Sequence, residues 1–128
     1  MRPDDPGISG DTPLLRALVD PGWWKLEAGV ARVTSFAFTS GDEVSCYIDT
    51  QKRRITMAER YPNVPVGRFL ALAARSLGFS LSSDPEHDPD GSPEHIVLTT
   101  ALGRNQHHKA CRSLARNTVF IPFEHFRG

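Results

Sequence analysis

The chain has 128 residues, 39% of them apolar, with 15 basic side chains balanced by 15 acidic ones. That length suits one domain with an ordinary packed core, and zero net charge removes any general electrostatic case for nucleic-acid or anionic-membrane binding. No apolar run approaches the roughly 20 residues needed to cross a bilayer, and the two cysteines, Cys46 and Cys111, are too few for a disulfide framework.

Residues 1–11 hold three acids, two prolines and two glycines, and are expected to form a mobile lead-in to a single domain over 12–128. Thr12 followed by Pro13 reads as a helix start, with Leu14, Leu15 and Leu18 as its apolar face and Asp20-Pro21-Gly22 as its end. Residues 30–39 are rich in β-branched and aromatic side chains. They are expected to pair, through a turn at Ser40-Gly41-Asp42, with the cleanly alternating run 43–49. Residues 50–63 are polar and basic, with one helical turn expected around Ala58.

From Pro65 the residues Val66, Phe69, Leu70, Ala73 and Leu77 recur at three- and four-residue spacing, and Gly78 follows as a cap, which predicts a helix. Strands are predicted at 79–82 and 95–100, separated by a loop with three prolines; Ile96, Val97 and Leu98 run consecutively, as in a strand covered on both faces. A helix over 103–116 and a strand over 118–121 close the chain. The expected fold is α+β, a single domain with a mixed, mostly antiparallel sheet of about five strands and three helices.

Charge is distributed unevenly. Asp84, Glu86, Asp88, Asp90 and Glu94 fall in one stretch without a basic residue, whereas 103–117 carries Arg104, Lys109, Arg112 and Arg116 without an acid. A second basic region holds Lys52, Arg53, Arg54, Arg60, Arg68 and Arg75, opposed by Glu59. In the last helix Arg104, His108, Arg112 and Arg116 recur every four residues and therefore line one flank. Such a flank can grip phosphates or an acidic protein surface; the plainer expectation is a solvated face answered by the acidic loop. Trp23 and Trp24 cannot both face a core if the segment is extended, so one of them is an interface candidate.

Other constellations are weaker. His107 and His108 point about 100° apart on a helix and cannot clamp one ion. His107 and Cys111 share a face but lack two further ligands, so no metal is expected. The acidic loop resembles a calcium loop only in part, because valine stands at position 97, where the closing carboxylate belongs. His95 with His107 or His108 could supply an acid and a base for RNA cleavage, as in a small toxin-like enzyme. Arg32, Ser35, Ser45 and Glu43 are loosely similar in order to ADP-ribosyl-transferring toxins, with the wrong spacing. Phosphate-binding loops, dinucleotide glycine fingerprints and nucleophile elbows do not occur, and no cofactor is expected.

The run from Arg32-Val-Thr-Ser-Phe-Ala-Phe through Gly41-Asp-Glu-Val-Ser to Pro93-Glu-His-Ile-Val-Leu resembles small bacterial proteins that carry no assigned activity, over most of residues 23–122. The resemblance implies a cytoplasmic bacterial origin and transfers no catalytic residue. The sequence thus leads to a non-enzymatic binding module. It would use Arg104, His108, Arg112, Arg116 and Trp23 or Trp24 on a protein partner first and nucleic acid second, with no membrane contact and with self-association left open.

Overall fold

A computed structural model describes residues 1–39 and 41–126. Its centre is a six-stranded sheet formed by β1 (Pro13–Ala17), β4 (Val44–Ile48), β5 (Val66–Leu70), β6 (Phe79–Ser83), β7 (His95–Thr100) and β8 (Val119–Ile121). The strands lie in the order β6-β7-β4-β1-β5-β8, and each neighbouring pair is antiparallel. A separate hairpin joins β2 (Trp24–Glu27) to β3 (Val30–Val33). Four helices complete an α+β domain: α1 (Gln51–Arg60), α2 (Ala71–Ser76), α3 (Arg104–Arg116) and α4 (Phe123–Phe126).

The segment 12–20, expected to be a helix, contains the central strand β1. Leu14 and Leu15 are both fully buried, Leu14 in the core under α3 and Leu15 in the smaller core under α1 and α4. Neighbouring residues buried on opposite sides require an extended chain covered on both faces, and Pro13 is tolerated because it opens the strand. The helix expected from Pro65 is likewise divided. Its first half is β5, between β1 and β8, and only 71–76 is helical. Gly67 explains part of this arrangement, since a Cβ there would stand 2.8 Å from Thr118 Cγ2, closer than real contacts allow. The close approach brings the end of α3 down against the sheet.

The hairpin expected between 30–39 and 43–49 does not form. Residues 30–33 pair with β2 through a two-residue turn in which Ala28 and Gly29 take φ of 53° and 79°, as a tight primed turn requires. Ser35–Phe38 then forms a 3-10 turn, and β4 pairs with β1 and β7 instead. Ser40, in the expected turn, lies outside the described residues. The polar stretch after Thr50 becomes the ten-residue helix α1, capped by Thr50 Oγ1, which accepts from the Arg53 amide at 3.0 Å.

Leu14, Phe38, Cys46, Phe69, Leu81, Ile96, Leu98 and Leu114 build the larger core, beneath α3 and the 3-10 turn. Leu15, Tyr47, Met57, Val66 and Phe126 build the smaller one on the other face, beneath α1 and α4. The lead-in expected at 1–11 lies along β6, at one edge of the sheet. The Asp5 amide donates to the Leu81 carbonyl at 2.7 Å, and the Leu81 amide donates to Asp4 Oδ1 at 2.9 Å. Arg75 donates to the Ile8 and Asp5 carbonyls, and Ile8 is buried in the core.

Candidate functional site

Helix α3 is amphipathic in the simplest way. Ala110, Cys111, Leu114 and Ala115 are buried against the sheet, the 3-10 turn and β3, while Arg104, His108, Arg112 and Arg116 stand exposed. Among the described residues no carboxylate lies within ion-pair distance of Arg104, Arg112 or Arg116.

The acidic loop does not answer them. Asp84 meets Arg2 at 3.1 Å and His87 at 2.9 Å, Asp90 meets Arg60, and Glu94 faces Arg53 at 3.5 Å while accepting from Thr50. Asp88 is buried and accepts from the Tyr47 hydroxyl at 2.8 Å and from the Ser92 amide at 2.9 Å. Burial alone would raise the Asp88 pKa; the Ser92 and Asp90 amides and the Tyr47 hydroxyl outweigh it and hold the carboxyl below its ordinary value. The buried carboxylate of the loop is thus occupied within the chain. His87 is held above its usual value by its bond to Asp84, whose own carboxyl is lowered by the same bond.

The free end of that basic flank borders a cleft of about 760 Å³ between the hairpin, the 3-10 turn and the C-terminal half of α3. Lys25 and Arg32 are directly paired across the hairpin and so share one face of it; Arg112 and Arg116 supply the opposite wall. Glu27 is the one carboxylate among the described residues lining the cleft, and Lys25 already holds it at 3.1 Å. That bond, with the nearby Arg32 charge, lowers its pKa. Val33 and Ala115 are buried at the apolar part of the lining, and Phe36 is 64% exposed at the cleft. The cleft is therefore lined by cations from both the hairpin and α3, together with apolar side chains.

The two tryptophans have separate surroundings. Trp24 lines the cleft but packs its ring against Phe120, with centroids 5.2 Å apart. Trp23 lies beneath the Arg16 guanidinium, 4.4 Å from the ring centre. Both are half-buried. Phe36 is instead the openly exposed ring of the cleft. Lys25, Arg32 and Phe36 were not singled out as binding residues by sequence reasoning, because only the hairpin's register and the packing of the 3-10 turn on α3 bring them to the cleft.

The histidines do not converge. His95 is buried on the α1 face of the sheet, its Nδ1 2.6 Å from the Asp84 carbonyl and its ring against Tyr47. His107 is half-buried against Phe79, which pairs with Thr100 at the far end of β7. The strand's length puts about 17 Å between those ends, and α3 packs on the opposite face. His108 is exposed beside His107. An acid–base pair of His95 with either of them is not assembled.

Nor do His107 and Cys111 open a ligand set. The Cys111 thiol is buried, contacts the Phe38 carbonyl and has its pKa pushed up to about 11 by burial. Cys46 is buried in the same core, its thiol pushed up to about 12 for the same reason. Among the described residues no group of three or more His, Cys, Asp or Glu side chains could hold a metal ion, and no helix is long and apolar enough to cross a membrane. Comparison of the chain with protein-family models, with curated proteins and with solved structures finds no match.

Proposed function

We propose that the chain is a non-enzymatic binding module that holds a negatively charged partner at the α3 flank and the adjoining hairpin cleft. The observation that carries this is the contrast between the arginines of α3 and those of the lead-in, α1, β5 and α2. Arg2, Arg53, Arg54, Arg60, Arg68 and Arg75 each have a carboxylate partner, whereas Arg104, Arg112 and Arg116 have none among the described residues. Unpaired guanidiniums on a rigid helix keep their planar donor forks free for carboxylate or phosphate, and a cluster of one sign beside an apolar cleft steers an anion toward it.

The test is fluorescence anisotropy with labelled oligoglutamate and labelled oligothymidylate at low salt. At least one of these anions should bind, with affinity that falls as salt is added; for a single nucleic-acid strand the logarithmic slope is about 0.7 per phosphate engaged. The double variant Arg112→Glu, Arg116→Glu should weaken binding roughly tenfold or more, while Lys52→Glu, the same kind of charge change on α1, should leave it unaltered. No binding of either anion, or equal loss in both variants, rejects the module.

A further inference from the structure

Resting on the reading above, we infer that the occupant of the cleft is a short acidic segment of a partner protein that carries one aromatic or large aliphatic side chain between its carboxylates. Three features point to that chemistry. Cations without a carboxylate partner among the described residues line the cleft from both sides, Arg32 on the hairpin and Arg112 and Arg116 on α3, so a segment lying in it meets a positive group from each element. The single lining carboxylate, Glu27, is already taken by Lys25. The walls are joined by apolar surface, with Phe36 64% exposed at the cleft and Val33 and Ala115 buried in its lining.

A phenyl ring left open in a cleft that arginine forks also line is poorly matched by a uniformly charged chain. It is matched by an apolar side chain that covers the ring while flanking carboxylates reach the guanidiniums, each able to accept two parallel N–H bonds. The size agrees, because about 760 Å³ accommodates a few side chains. Single-stranded nucleic acid fits less well. Proteins that hold it present successive aromatic faces along a charged groove, and here Trp24 is packed on Phe120 and Trp23 lies under Arg16, leaving Phe36 as the open ring.

The experiment compares three labelled probes of equal negative charge on the intact chain: a peptide of Glu and Asp around a central Phe, the same peptide with Ser in place of that Phe, and oligothymidylate. Anisotropy should show the Phe peptide binding roughly five- to thirtyfold tighter than the Ser peptide, the range expected for covering part of one phenyl ring. Phe36→Ser should erase that difference, and Arg32→Glu should weaken both peptides. Equal binding of the two peptides, or tighter binding of oligothymidylate than of the Phe peptide, overturns the acidic-segment assignment and leaves the anion-binding module standing. Failure of all three probes removes both. The comparison of probes on the unaltered chain decides the matter even if a cleft variant folds poorly.

Discussion

Two arginine-bearing helices lie on opposite faces of one sheet. On the α1 face, Arg54 makes a two-pronged contact with Asp49 at 2.7 and 2.8 Å, Arg68 reaches the same carboxylate at 3.0 Å, and Arg60 meets Asp90. Arg53 is 3% exposed, its guanidinium 4.3 Å above the Tyr47 ring and its Nε facing Glu94. On the α3 face the arginines of the helix stand in water, with no acid in ion-pair distance among the described residues. Basic composition is similar in the two helices, so composition does not distinguish charge that fixes the fold from charge that is free to meet a partner. The location of the carboxylates does. Those of the 84–94 loop and Asp49 are folded onto the α1 side, and they neutralise it.

Substitutions on the two faces should therefore separate stability from binding. Arg53→Ala should have the largest effect on folding. It removes a buried side chain that packs on Tyr47 and leaves a void beneath α1, for a loss of about 3 kcal/mol, or roughly 10 °C in a thermal melt. An unchanged melting temperature would show that the α1 face does not depend on its internal pairs.

Next comes Asp49→Asn, expected to cost about 1–2 kcal/mol at neutral pH, measured by urea unfolding. The Arg54 hydrogen bonds, aided by Arg68, hold the Asp49 carboxyl below its ordinary value of 3.8. A carboxyl lowered in the folded state stabilises fully above its unfolded pKa, and that contribution disappears as pH falls through the folded value. The wild-type chain should therefore lose more stability than Asp49→Asn on acidification below about pH 4. Parallel pH profiles of the two proteins would contradict the assignment.

Tyr47→Phe should cost about 1 kcal/mol, since it deprives buried Asp88 of one donor and leaves the Ser92 and Asp90 amides in place. The Tyr47 hydroxyl has its pKa pushed up to about 12, first by burial and then by that bond, so it should show no phenolate absorbance at a pH where exposed tyrosine ionises. The smallest folding effect belongs to Arg112→Ala with Arg116→Ala, expected within about 0.5 kcal/mol of wild type. Melting unchanged with anion binding lost would sharpen the division of labour; a strongly destabilised double variant would erase it.

The α3 flank was legible in sequence because its side chains repeat every four residues, and each stands where that repeat predicts. The α1 helix was not, since its buried side is made by Arg53 and Met57 rather than by an apolar stripe. Leu14, Leu15 and Leu18 satisfy helical spacing, yet they lie in β1 and just beyond it because the sheet is covered on both faces, which local pattern does not reveal. The hairpin at Ala28-Gly29 was hidden by an alanine at positive φ, a position more often filled by Asn, Asp or Gly. The cleft was hidden for a different reason. Its walls come from residues about 80 positions apart in the chain, Arg32 and Arg112, and only the packing of β3 on α3 makes them neighbours.

The segment running beside β6 has a practical consequence. An outer strand with open amide and carbonyl groups is a template on which other molecules can stack, and the contacts of Asp4 and Asp5 with Leu81 close that template from within the same molecule. Trimming the chain ahead of Ile8, or crowding it with a bulky fusion, would bare the strand and invite precipitation in a protein whose interior is otherwise intact.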